Sequence, residues 1–345
     1  MSNKAAGALT AKAKAMFGKR IRPEDYQTML QKKTIAEVAS YLKNDTYFNE
    51  VLAGINEKAI HRGQLEALIR QDLFQRFSSL MRYANSPKNG FYRYGVIENE
   101  IHQILNCIRS FESKDYMQFI QKLPTYLEQK TSFKLSELAN VRNYDELLEV
   151  LKNTDYAPII KQFKPIHMDE FDFTGCESAL RNYYFDTVLK IIEKDFSGKE
   201  HDDLRNIFLT QIELENITKI YRLKKYFEAS PARIKELISP VHLRFSKKDL
   251  DYIIENCNAD ELFDYLAKSA YKNYTDNQRF IYIEYHTKKI NYNINRRHLA
   301  FSSNPDIVLL SYMLLSETEI QNIVDIIEGI RYKIAPEKIE RLLIY

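Results

Sequence analysis

The feature that most constrains this chain is a segment that occurs three times. Ile35-Ala36-Glu37-Val38-Ala39-Ser40-Tyr41-Leu42 leads to Tyr47, Tyr144-Asp145-Glu146-Leu147-Leu148-Glu149-Val150-Leu151 leads to Tyr156, and Ala259-Asp260-Glu261-Leu262-Phe263-Asp264-Tyr265-Leu266 leads to Tyr271. The three align without gaps. The register extends backward, where Tyr26, Leu135 and Leu250 correspond, as do Met29, Leu138 and Ile253. Those positions mark the core-facing side of a short helix before each copy. A repeated supersecondary unit cannot bury its apolar face alone, so each copy must be covered by another.

A second element recurs in the same order. It reads Glu98-x-x-Ile101-x-x-Ile104-Leu105, then Glu213-x-x-Asn216-Ile217-x-x-Ile220, then Glu319-x-x-Asn322-Ile323-x-x-Ile326. One carboxylate per copy is expected near a helix start, where it complements the macrodipole. After a break comes a short helix: Asp115-Tyr116-x-x-Phe119-Ile120, Pro231-x-x-Ile234-x-x-Leu237-Ile238, or Pro336-x-x-Ile339-x-x-Leu342-Leu343. Pro231 and Pro336 suit a first helical turn, where the missing N–H costs nothing, and Ser230 suits the N-cap before Pro231. The elements return roughly 105 to 115 residues apart, which divides the chain into modules 1–113, 114–229 and 230–345. The last helix of each module is expected to run directly into the next module. The helix from Pro336 to Leu343 has no successor, so it either packs on the first module and closes a ring, or caps a solenoid.

The fold class that follows is all-α. Only 9 Gly and 9 Pro occur in 345 residues, which favours long helices over turn-rich β structure. Leu65, Leu68, Ile69, Leu73, Phe77, Leu80 and Met81 follow a helical apolar stripe, as do Leu180, Tyr183, Tyr184, Val188, Ile191 and Ile192. Phe280 to Phe301 is a more polar helical stretch. No segment alternates with period 2, so no sheet of consequence is expected.

Several function classes fall away. The net charge of +3 lacks the basic excess of a nucleic-acid binder. Lys288, Lys289, Tyr292, Arg296, Arg297 and His298 interleave cations with aromatics, a pattern that fits a solvated or protein-docking helix face once nucleic acid is set aside. Cys107, Cys176 and Cys257 are far apart and odd in number, which argues against a disulfide framework or zinc site and for a reducing compartment. The lysine-bearing N-terminus has no apolar core of a signal peptide, and the most apolar run, Ile307 to Leu315, is far short of the ~20 residues that span a bilayer. Any membrane association is therefore expected to be peripheral. Gly-rich phosphate loops, HExxH, Glu-x-x-His and GxSxG are all missing, so neither cofactor nor metal site nor small-molecule substrate is expected. His201-Asp202 resembles the His-Asp pair of metal-dependent phosphohydrolases, but within Ser197-Gly198-Lys199-Glu200-His201-Asp202-Asp203 it reads better as a loop in which Asp202 or Asp203 caps the next helix.

The third module carries a family resemblance. Pro305 and Tyr312 lead to Glu317-Thr318-Glu319-Ile320-Gln321-Asn322-Ile323, then Ile326-Ile327-Glu328-Gly329, then Ala335-Pro336-Glu337-Lys338-Ile339. This resembles the C-terminal signature of the C subunit of bacterial and archaeal V/A-type ATPases, the counterpart of the eukaryotic d subunit. Ala11-Lys12-Ala13-Lys14-Ala15-Met16, the Asp25-Tyr26 helix, Leu42 and Thr46-Tyr47 resemble that family's start, and Glu215-Asn216 with Arg222-x-Lys224 its middle. Lys14 stands where the family pattern has Arg, and Ile101 where the other two copies have Asn.

The resemblance implies three similar helical modules in a pseudo-threefold, funnel-shaped arrangement. It implies a non-catalytic component of the central stalk, peripheral on the cytoplasmic face of the membrane, without cofactor. Its partners would be the shaft subunits D and F and the membrane proteolipid ring, and it would couple ATP turnover to H⁺ or Na⁺ transport. The basic positions Lys288, Lys289, Arg296 and Arg297 are then candidates to face the shaft. The alternative is an unrelated all-helical scaffold for protein–protein interaction.

Overall fold

The computed structural model describes residues 3–84, 90–121, 123–165, 171–275 and 282–345. Among them every regular element is helical. The chain begins with α1 (Asn3–Gly18), α2 (Pro23–Leu30), α3 (Ile35–Asp45) and α4 (Arg62–Ala84), and continues with α5 (Tyr94–Ser113), α6 (Tyr116–Gln121), α7 (Leu135–Leu138), α8 (Tyr144–Leu151) and α9 (Tyr156–Lys161). Next come α10 (Phe173–Asp195), α11 (Gly198–Phe227), α12 (Pro231–Leu237) and α13 (Lys247–Asn256). The last four are α14 (Glu261–Lys268), α15 (Ile283–Phe301), α16 (Pro305–Arg331) and α17 (Pro336–Glu340). The polar helix expected from Phe280 is α15; Phe280 itself lies outside the described residues.

The helices gather into two compact units. Unit 1 joins the two ends of the sequence, Met1–Ser86 with Asp260–Tyr345, and unit 2 is Pro87–Ala259.

The threefold sequence repeat is a threefold repeat of local structure. In the eight-residue segment, Val38, Leu147 and Leu262 stand at one position and Leu42, Leu151 and Leu266 at another, and none is more than 2% exposed. In the preceding short helix, Tyr26 and Met29, Leu135 and Leu138, and Leu250 and Ile253 are buried as expected. The first two copies also share a cap. Thr34 accepts the Glu37 N–H at 3.2 Å and Asn143 accepts the Glu146 N–H at 3.0 Å. In return Glu37 accepts from the Lys33 N–H and Glu146 from the Arg142 N–H. Ser246 and Asp249 form a reciprocal capping box on α13, and Ser230 accepts the Arg233 N–H at the start of α12.

Unit 1 is organised on α16. Its first half carries the apolar run Ile307–Leu315, nearly all of it buried, and α15, α1, α4, α3, α2 and α17 all pack against it. At 27 residues α16 is roughly 40 Å long. The C-terminal segment is covered by the first module. Here α17 packs on α2, the Tyr345 ring stacks on Tyr26 with centroids 5.1 Å apart, and Gln27 donates to Glu340 at 2.6 Å.

Unit 2 is built on the α10–α11 pair, with α5, α9 and α12 against α10. Phe91, Tyr94, Phe196 and Phe208 form an aromatic cluster there, in which Phe91 meets Phe196 and Phe208, and Tyr94 meets Phe208, edge to face. The turn from α10 to α11 is shorter than expected. The helix starts at Gly198, whose φ of 57° is a left-handed conformation that suits glycine, and Ser197 takes the N-cap place. Asp202 and Asp203 therefore lie inside α11 and cap nothing. Gly198→Ala is expected to cost about 1 kcal/mol of stability, read by urea denaturation, because a Cβ strains the left-handed region.

A second correction concerns the helix that begins at Pro231, which does not run directly into the next copy of the repeated segment. The helices α12 and α13 are not continuous: residues 238–246 run between them without helix. That stretch leaves backbone N–H groups without helical partners, and the buried carboxylates supply them.

Candidate functional site

Three long helices carry a buried carboxylate in their interior. On α11, Glu213 is 0% exposed. Its Oε1 accepts the N–H groups of Leu243, Arg244 and Phe245 at 2.8, 2.9 and 2.8 Å. Those residues immediately precede the Ser246 cap of α13. On α16, Glu319 accepts the buried N–H of Ile21 at 2.8 Å and the Tyr47 hydroxyl. Ile21 lies two positions before Pro23, the first residue of α2. On α5, Glu100 accepts the Ser132 N–H and, at 2.6 Å, the Tyr156 hydroxyl. Each carboxylate thus caps, from another helix, the chain that enters a short helix.

An amide three residues on completes the device in two copies. Asn216 donates to the Ser239 carbonyl at 2.8 Å and accepts the Ser239 N–H at 3.0 Å. Asn322 makes the same pair of bonds with Ile344, at 2.8 and 3.0 Å. Ser239 and Ile344 occupy equivalent places after Pro231 and Pro336.

This geometry corrects the alignment of the first copy by two residues. The structural counterpart of Glu213 and Glu319 is Glu100, followed by Gln103 and Ile104, and not Glu98 followed by Ile101. Glu100 and Gln103 are 1% and 4% exposed. Glu98 is part-exposed and pairs with Arg181 at 3.0 Å. The spacing Glu-x-x-Gln-Ile in 100–104 was the available signal, masked by a second glutamate two positions earlier. Nor do these carboxylates stand at helix starts. They cap a neighbouring segment, which their own helix's pattern does not reveal.

Around Glu319 the polar cluster is larger. Arg76 on α4 donates to the hydroxyls of Tyr312 at 3.0 Å and Tyr47 at 3.1 Å, and pairs with Asp72 at 2.8 Å. Burial pushes Glu319 up to about 7 and Tyr47 well above its ordinary range. In unit 2, Arg181 bridges Glu98 and Glu215, and burial raises Glu215. Two lysines hold helix ends by their carbonyls: Lys224 bonds Ile254 and Cys257 at 2.6 Å each, and Lys14 bonds Ala300 and Ser302 at 3.1 and 3.3 Å.

The cationic positions singled out in the sequence all lie on α15. Lys288, Arg296 and Arg297 are all exposed. Lys289 is half-buried, donates to the Tyr345 carbonyl at 2.9 Å and lies over the Tyr292 ring. Arg296 faces the buried Tyr292, and Lys288 faces Asp325.

Among the described residues no group of three or more His, Cys, Asp or Glu is placed to hold a metal ion. All three cysteines are buried, and burial pushes the Cys107 and Cys176 thiols up to about 12, the opposite of an activated nucleophile. His201 is held between Asp202 at 2.9 Å and Glu193 at 3.0 Å on the surface of α11, and those bonds raise its pKa. Among the described residues no helix is long and apolar enough to cross a membrane.

The family model of the ATP synthase (C/AC39) subunit matches residues 9–342. The chain belongs to that family. Among its curated relatives, the A-type ATP synthase C subunit of Methanosarcina acetivorans is 24% identical over 218 residues, 62% of this chain and 57% of the relative. That of Methanosarcina mazei is 24% identical over 230 residues, 66% and 61% of the two chains. That of Methanocaldococcus jannaschii is 25% identical over 229 residues, 61% and 54%. The matches to these relatives thus span little more than half of their length. Family membership and the all-helical structure agree with the V/A-type ATPase resemblance of the sequence.

Proposed function

We propose that the chain is a non-catalytic component of the central stalk of a rotary A/V-type ATPase. It is a socket between the shaft subunits D and F and the membrane proteolipid ring, peripheral on the cytoplasmic face. It couples ATP turnover to H⁺ or Na⁺ movement without cofactor or substrate of its own. Modules 1–113, 114–229 and 230–345, related by a pseudo-threefold axis, make its funnel. The observation that carries this reading is how the buried polar residues are used. Glu100, Glu213, Glu319, Asn216 and Asn322 spend their hydrogen bonds on backbone and phenol groups of the protein itself. That chemistry suits a stiff coupling body, and the family match gives the body its assembly.

Co-purification tests the reading: tagged chain is expected to bring down shaft and ring subunits, and recovery of neither sinks it. The α15 face is tested separately. Reversing Lys288, Arg296 and Arg297 to glutamate together is expected to weaken shaft binding about tenfold at low salt, with less effect at high salt. Lys289 is left in place because it holds the C-terminal carbonyl. Unchanged affinity in a folded variant removes these three cations from the interface.

A further inference from the structure

The three carboxylate brackets differ in how the segment they hold is tethered. Phe245 lies 32 residues beyond Glu213, and Ser132 lies 32 beyond Glu100, so backbone keeps each segment near its helix. Ile21 and Tyr47 reach Glu319 across 298 and 272 residues. On α11 the segment held by Asn216 at Ser239 continues through a short run of backbone to Phe245 on Glu213. On α16 Asn322 holds Ile344, but the place on Glu319 is taken by Ile21, which no short stretch of backbone joins to Ile344. Unit 1 therefore contains a seam, between residues 19–47 on one side and α16 with the C-terminal segment on the other, whose bonded residues are far apart in sequence.

We infer that this seam is a latch: unit 1 opens by releasing residues 19–47 from Glu319, and a proton on Glu319 holds it shut. The seam's polar bonds converge on that carboxyl. It takes the Ile21 N–H and the Tyr47 hydroxyl, and Tyr47 in turn takes a bond from Arg76. Arg76 is already engaged by Asp72 and the Tyr312 hydroxyl, so its charge is shared. Tyr26 on α2 and Tyr292 on α15 also face Glu319, and Arg20 is the other cation near it. Titratable groups on the remaining neighbours have partners elsewhere: Lys12 on Ser79, Lys14 on the end of α15, Tyr41 on Asp25 and Glu340 on Gln27.

The sign of the proton linkage follows from burial. Desolvation raises the carboxyl from 4.5 to about 7, against the opposing Tyr47 bond, Arg76, the Ile21 N–H and Arg20. Released into water it returns to about 4.5. Closure takes up a proton between those values, so the latch is tightest at acid pH and loosens as pH rises toward and through 7.

The test is hydrogen exchange of the full chain, read in peptides covering residues 19–47 and corrected for the intrinsic rate. From pH 5.5 to 8 the opening equilibrium is expected to rise about thirtyfold. In E319Q the rise is expected to vanish. Y47F keeps the carboxylate but removes a bond that lowers its pKa, so its transition is expected at higher pH. A flat wild-type profile overturns the latch, as does a folded E319Q that keeps the wild-type rise. Should E319Q not fold, a Y47F transition unmoved from wild type overturns it.

Discussion

Replacing Glu213 by leucine is expected to destabilise the protein by about 4 kcal/mol. The carboxylate accepts three backbone N–H groups, and a buried donor left without its acceptor costs about 1 to 3 kcal/mol. Leu243 and Arg244 border solvent, so water recovers part of the loss there, while Phe245 is 3% exposed and recovers none. Glu213→Gln keeps one acceptor oxygen and is expected to cost about half as much. The control is Glu98→Leu, at the glutamate that the sequence pattern favours. It removes a part-exposed ion pair with Arg181, a contribution of about 1 kcal/mol. Urea denaturation followed by circular dichroism compares them. Equal losses for Glu98→Leu and Glu213→Leu would show that the buried bracket is no stronger than a surface pair.

Deleting Leu343, Ile344 and Tyr345 is expected to be the second large effect, about 5 kcal/mol. Leu343 and Ile344 are each 4% exposed, and burying an aliphatic side chain contributes about 1.5 to 3 kcal/mol. The deletion also removes both bonds between Asn322 and Ile344, the bond from Lys289 to the Tyr345 carbonyl and the Tyr26–Tyr345 stack. Adding Asn322→Leu to the deletion is expected to recover part of the loss, since the buried amide that has lost its two bonds to Ile344 is then gone. A deletion that leaves the denaturation midpoint unchanged would mean that the C-terminal segment does not stabilise unit 1.

Much of this was legible beforehand. The repeated segment has helical period in all three copies, and Val38, Leu147 and Leu262 are buried as that period requires. Helix caps were readable where the donor sits three residues from the acceptor, as at Ser230. The brackets were less so. Glu98 and Glu100 are both on α5, and only the partners Ser132 and Tyr156 distinguish the structural carboxylate from the surface one. The turn at Gly198 is not legible in the sequence, because its left-handed φ starts α11 several residues before the acidic pair that resembles a cap.

The sequence by itself determined the helices, their threefold recurrence and the apolar positions, because these depend on residues within a few places of one another. Only the tertiary structure decided what covers the C-terminal helix and what each buried carboxylate holds. Those outcomes rest on bonds such as Ile21 to Glu319, between residues 298 positions apart. A buried acceptor takes whichever donor the packing of distant segments brings within reach, and local periodicity carries no record of that donor.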